Sequence, residues 1–118
     1  MATQPSKWAV EFYTVARGTS PALEFINGLP KSERAKVYSC LKLLRECGTD
    51  VGMPHAKSVS GHKPLWELRP GSNRLIYFAH TGRRIIILHA FPKSQWKIPK
   101  REIATAERRL ADFLEREK

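Results

Sequence analysis

Three strand-like runs separated by two short turns lie between residues 64 and 91, and this segment restricts the fold more than any other. Residues 64–69 alternate, with Leu65, Glu67 and Arg69 on one side and Trp66 and Leu68 on the other. Pro70, Gly71, Ser72 and Asn73 form a turn cluster. Residues 74–80 alternate again: Arg74, Ile76, Phe78 and His80 oppose Leu75, Tyr77 and Ala79. Thr81, Gly82 and Arg83 make a second tight turn. Residues 85–91 are almost continuously apolar, the pattern of a central strand covered on both faces. Successive strands joined by tight turns pair antiparallel, so a meander is expected.

The flanks supply the rest of the layout. Residues 8–15, rich in aromatic and β-branched side chains, predict a first strand that joins this sheet. Ser20 followed by Pro21 is an N-cap and first helical position, and Gly28 ends the short helix they begin. A second helix is expected to start near Lys31 and Ser32. Val37, Leu41 and Leu44 mark its apolar face, Cys40 and Cys47 flank that face, and Gly48 stops it. Residues 49–61 lack periodicity and predict a loop. After Pro99, a last helix carries Ile103, Ala106, Leu110 and Phe113 on one face. The order β-α-α-β-β-β-α predicts an α+β fold, with an antiparallel sheet packed against the N-terminal helix pair and a C-terminal helix. With 118 residues, 1–118 is expected to be a single domain with its own core.

Seven residues separate Cys40 from Cys47, about two helical turns or ~10 Å of rise, too far for a disulfide within one helix. Both are expected as buried thiols in a reducing cytoplasm. No apolar run approaches the roughly 20 residues of a membrane span. The N-terminal segment Met1 to Lys7 lacks a signal-peptide hydrophobic region. A cytoplasmic location and no membrane partner are therefore expected.

The formal net charge is +10. Residues 1–61 hold eight basic and five acidic side chains, and residues 62–118 hold thirteen and six, so the excess lies in the second half. That balance points to a polyanionic partner or an acidic protein. From Arg69 to Arg101 there are eight Lys or Arg and no Asp or Glu. Arg69 ends one strand and Arg74 opens the next, so their guanidiniums are expected close together, stable with an anion between them. A phosphodiester suits that place. Lys93, Lys97, Lys100 and Arg101 follow the last strand and are expected in the same region. Arg74 is expected at an exposed position, where truncation to alanine leaves the fold intact.

Such a cluster is what RNA cleavage by an internal 2′-OH needs, because the phosphorane gains negative charge and the nucleophile belongs to the substrate. The same 2′-OH separates RNA from DNA. There is no phosphate-binding glycine loop and no Cys/His metal spacing, and His55 and His62, seven apart in a loop, do not make a metal site. Acid pairs are too few for two-carboxylate or two-metal hydrolysis. No metal and no cofactor are expected. Glu67 is read first as a salt-bridge partner of Arg69 or Arg74, and His89 first as a hydrogen-bonded core histidine, with acid–base duty open for both. His80, beside a turn, is expected to be exposed. Trp66 and Tyr77 are read as core. For Trp96, base stacking or partner contact stands level with packing.

Lys63, Trp66, Glu67, Leu68 and Arg69, then Arg74 to Tyr77, then Ile87 to Ala104 through His89, Phe91, Lys93, Trp96, Lys97, Lys100 and Arg101, resemble the RelE/HigB type of bacterial and phage toxins, closest to the phage-derived HigB-like branch. The motifs span residues 63–109, and the N-terminal strand and helix pair fit the same layout. The resemblance implies the compact fold of the RelE/ParE superfamily and a metal-independent, ribosome-dependent mRNA endonuclease of a type II toxin–antitoxin system. It also implies a cognate antitoxin, often with a helix-turn-helix domain, which binds operator DNA as part of the complex. By position, Arg69, Arg74 and Lys93 match catalytic residues; Lys63, Trp96, Lys97, Lys100 and Arg101 are the RNA-binding candidates. Two departures stand out. RelE has lysines where this chain has Leu65 and Glu67, and many relatives have adjacent lysines where it has Lys93 and Ser94. His89, Lys93 and Glu67 are thus the candidates for proton transfer. A ParE-like inhibitor of DNA gyrase and a non-catalytic RNA- or ribosome-binding module are the competing readings, since fold does not decide function.

Overall fold

A computed structural model describes residues 7–118. All but the last residue of the segment read as lacking a signal peptide lies outside the described residues. The elements run β1 (Ala9–Phe12), α1 (Pro21–Asn27), α2 (Lys31–Cys47), β2 (Ala56–Ser58), β3 (Trp66–Leu68), β4 (Asn73–His80), β5 (Arg84–Pro92) and α3 (Lys100–Arg116), with a 3-10 turn at Gly48–Asp50. The sheet order is β1-β5-β4-β3-β2. The mixed α+β architecture is as the hydrophobic patterning predicts. Among the described residues no helix is long and apolar enough to cross a membrane.

Local chemistry sets the helix boundaries. The Ser20 side chain accepts the Leu23 N–H at 3.3 Å, with Pro21 in the first helical turn of α1. Val37, Leu41 and Leu44 are buried along one face of α2. Helices α1 and α2 cover one face of the sheet, packing Ala22, Ile26, Val37, Leu41 and Leu44 against Leu68, Leu75, Tyr77, Ile85 and Ile87. Helix α3 covers the other, where Ala106, Ile103, Leu110 and Phe113 meet Ile76, Phe78, Ile86, Leu88 and Phe91. The alternation read from residues 74–80 therefore places each side chain on its expected face. Ile85, Ile86 and Ile87 are all fully buried, each worth roughly 1.5–3 kcal/mol of transfer free energy.

Four features depart from expectation. A short strand, β2, forms within the predicted loop and pairs antiparallel with β3. It has three residues of which only Ala56 is buried, too few to write a period. The sheet is mixed rather than antiparallel, because β1 runs parallel to β5. Cys47 is exposed and Cys40 partly buried, with burial raising the Cys40 thiol pKa; both are free. His80 is mostly covered, its side chain 18% exposed, because Phe113 of α3 sets its ring edge-on at 5.3 Å.

The β4–β5 ladder also contains a bulge. Ile76 pairs with His89 and Tyr77 with Ile87, so Leu88 is the extra residue. Leu88 lies in the core under α3, and His89 reaches Glu102 and Arg109 of α3, so both point to that face. The parity of β5 is reset, and Ala90 returns to the helix-pair side.

At the C-terminus of α2, Gly48 has φ +56°, and a Cβ there would lie 2.0 Å from the Trp8 indole nitrogen. The Trp8 backbone N–H donates to the Arg45 carbonyl at 2.9 Å. Gly48→Ala is expected to cost roughly 2 kcal/mol or more from the left-handed backbone and the displaced indole. Denaturant unfolding checks this; an unchanged midpoint would show that Trp8 does not pack there.

Candidate nucleic-acid interface

A cleft opens where the ends of β3, β4 and β5 meet the segment leading to α3. Glu67, Arg69, Arg74, Phe91 and Lys93, with Trp96 and Lys97 of that segment, line it. Register explains the convergence: Arg74 pairs with Phe91 across the β4–β5 ladder, and Glu67 pairs with Ile76 across β3–β4. The Lys93 N–H donates to the Ser72 carbonyl at 2.8 Å, tying the basic segment to the β3–β4 turn.

The cleft's cations fall into two kinds. Arg74 is 7% exposed, not at the open surface expected of it. Its Nη1 donates to the carbonyls of Gly71 at 2.8 Å and Asn73 at 2.7 Å, and its Nε lies 3.3 Å from Glu67 Oε2. The turn's own carbonyls therefore accept the guanidinium that an alternating pattern would send to solvent. Burial lowers the Arg74 pKa, Glu67 opposes that shift, and Arg69 adds to it. Arg74 is thus a framework cation held by the sole acid lining the cleft.

Arg69, Lys93 and Lys97 are the second kind. Among the described residues none of them has a carboxylate within ion-pair reach. Arg69 is half-buried, its Nη1 only 3.8 Å from the Met53 sulfur. The Lys93 ammonium lies 5.6 Å from the centre of the Trp96 ring. Trp96 itself is 90% exposed, which removes core packing as its role. Among the described residues no group of three or more His, Cys, Asp or Glu stands close enough to hold a metal ion.

His89 does not line the cleft. Its ring stacks at a tilt 5.2 Å behind Phe91, and its side chain is 14% exposed. Nε2 lies 2.6 Å from Glu102 Oε1, and Nδ1 lies 3.2 Å from Arg109 Nη1, which also donates to the Leu88 carbonyl at 2.9 Å. A guanidinium can only donate, so Nδ1 accepts and the proton sits on Nε2, facing Glu102. Burial lowers the His89 pKa; the Glu102 hydrogen bond opposes this and Arg109 reinforces it. This is the hydrogen-bonded core histidine. Lys63, Lys100 and Arg101 are exposed and lie outside the cleft lining, with Arg101 Nε 3.7 Å from Glu102.

Sequence reasoning missed Lys57. It stands directly across from Glu67 in the β2–β3 register, on the same side of the sheet, and is exposed. The neighbouring His55 carbonyl accepts the Arg69 N–H at 2.9 Å. Only the pairing of β2 reveals either. Chemically, the cleft offers three unpaired cations around one buried ion pair, beside an exposed indole, which suits a phosphodiester with an unstacked base.

A family model described as phage derived protein Gp49-like matches residues 24–111. A chain of the crystal structure of the archaeal RelE-RelB complex from Pyrococcus horikoshii OT3 is similar in fold, with a TM-score of 0.59 at 17% identity, over 76% of this chain and 99% of that one. Among curated proteins, none matches the sequence.

Two outcomes follow from this geometry. Arg74→Ala is expected to destabilise the fold by roughly 3 kcal/mol, since it strands Glu67 and two turn carbonyls; denaturation at neutral pH measures it, and a neutral effect contradicts the buried pairing. His89 should titrate below the ordinary value of about 6.5 by NMR of its ring protons. The stability linked to it is full above that value and is lost as pH falls through the folded pKa. A His89 pKa at or above the ordinary value would contradict burial as the dominant influence on the ring.

Proposed function

The chain belongs to the Gp49-like phage-derived family, and from that premise we propose that it is the toxin of a type II toxin–antitoxin pair, an endonuclease that cuts mRNA on the ribosome. The observation that supports this most is the convergence of unpaired Arg69, Lys93 and Lys97 on the Arg74–Glu67 pair, in a cleft on a RelE-like fold.

In this reading the substrate's 2′-OH attacks the adjacent phosphorus. The bond from phosphorus to the 5′ oxygen breaks, leaving a 2′,3′-cyclic phosphate and a 5′-OH. Arg69 and Lys93 hold the non-bridging oxygens as charge builds on the phosphorane. Lys97 takes a neighbouring phosphate and Trp96 stacks on a base. Arg74 keeps Glu67 and the turn in place. Of the three proton-transfer candidates, Glu67 and Lys93 line the cleft and His89 does not. Glu67 accordingly takes the 2′-OH proton, and Lys93 supplies one to the leaving oxygen. Lys63, Lys100 and Arg101 add longer-range attraction to ribosomal and messenger RNA. A cognate antitoxin holds the toxin inactive, and their complex binds operator DNA.

Expression from a tightly repressed promoter, with mapping of mRNA 5′ ends shortly after induction, tests the reading. New ends inside translated frames are expected, reduced about a hundredfold or more by Lys93→Ala, an exposed change that spares the fold. Growth arrest with intact messages would instead point to a protein target such as gyrase, and unchanged cutting by Lys93→Ala would displace the site.

A further inference from the structure

The sheet has two edges, and they differ. At one, β2 is three residues long and its central residue is Lys57, a charge that discourages further pairing. At the other, β1 has no lysine, and Val10 and Phe12 are only half-buried. The Ala9 N–H donates to the Arg83 carbonyl and the Tyr13 N–H to the Ile87 carbonyl, both at 2.9 Å. In parallel pairing alternate residues face the same neighbour, so residues 9, 11 and 13 face β5. The N–H and C=O groups of Val10 and Phe12 therefore point outward from the sheet.

Beside that edge runs a groove between β1 and α2, lined by Val10, Phe12, Tyr38, Leu41, Lys42 and Arg45. Its floor is apolar. Tyr38 is 45% exposed, a ring with an apolar body and a polar tip. Lys42 and Arg45 are exposed, and among the described residues neither side chain has an acidic partner. No acid lines the groove. Val10, Phe12 and Leu41 belong to the core under α1 and α2, whereas Phe91 of the cleft belongs to the core under α3, so the groove lies on the opposite face of the sheet.

We propose that the outer edge of β1, which among the described residues pairs with no further strand, and this groove dock an acidic, extended segment of the neutralising partner, added as a further strand outside β1; this rests on the toxin–antitoxin reading above. Backbone pairing with Val10 and Phe12 supplies the register. Alternate apolar side chains of the segment fill the groove, and its carboxylates meet Lys42 and Arg45. A second copy of this chain fits poorly, because it would bring the same two cations against themselves. The partner thus gains a hold on the protein that leaves the cleft open.

The test uses the full chain and the product of the reading frame adjacent to its gene. Amide exchange should slow at Val10 and Phe12 on complex formation. Lys42→Glu with Arg45→Glu should weaken binding about tenfold or more and abolish relief of growth arrest, while Arg69→Ala leaves affinity unchanged. Both reversed residues are exposed, so an unchanged melting temperature confirms that the variant is folded. A complex with unprotected β1 amides and no effect of the charge reversal overturns the docking site and leaves the toxin reading standing. Protection at β1 in a chain that arrests no growth upholds the docking site and removes the toxin reading. If the adjacent product neither binds nor relieves arrest, the antitoxin reading and this proposal fall together.

Discussion

The β4–β5 ladder places almost everything else. Its central strands are buried on both faces, so each register position assigns a side chain to one of two cores. Where the ladder ends, Arg74 faces Phe91 and Asn73 faces Pro92, which delivers the basic segment beginning at Lys93 to the mouth of the β3–β4 turn. The bulge at Leu88 sends His89 toward α3, where Glu102 and Arg109 receive it at the start and middle of that helix. Without the extra residue, His89 would enter the core under α1 and α2 as a polar group among aliphatic side chains, at a cost of several kcal/mol. The helix that closes the second core is thus fastened through the same ladder that builds the cleft.

A chain with net charge +10 has to decide where its cations are neutralised. Away from the cleft, some of them are paired. Arg84 bridges Glu11 on β1 and Glu117 at the end of α3, which lowers both carboxyl pKa values and raises its own. Arg116 pairs with Asp112, which also accepts from the Tyr13 hydroxyl at 2.6 Å. In the cleft a single carboxylate, Glu67, serves Arg74 and leaves Arg69, Lys93 and Lys97 unmatched. Unpaired cations in a concave site focus potential onto a polyanion more effectively than the same charges spread over a surface.

Much of this was legible in the residues. The faces of β4 follow from period-two alternation, the cover on both sides of β5 from its apolar run, the start of α1 from Ser20 and Pro21, and an ion pair of Glu67 with Arg69 or Arg74 from their nearness on the sheet, the structure giving it to Arg74. What stayed hidden depends on pairing between distant segments. Strand β2 exists because β3 offers it a ladder, not because Ala56–Ser58 favours extension. The burial of Arg74 depends on turn carbonyls whose directions no alternation encodes, and the cover over His80 depends on where Phe113 lands. The bulge is a property of the register, so the face of His89 could not be read from a run of apolar neighbours.

The most direct test of the central claim is a single-turnover reaction of the purified protein with ribosomes carrying message, reading both the rate and the chemistry of the new ends. Cleavage through the substrate's 2′-OH predicts 2′,3′-cyclic phosphate and 5′-OH termini, with the rate falling about a hundredfold or more in Arg69→Ala. Ends carrying 3′-OH and 5′-phosphate, or an unchanged rate in Arg69→Ala, would contradict the assignment of the cleft.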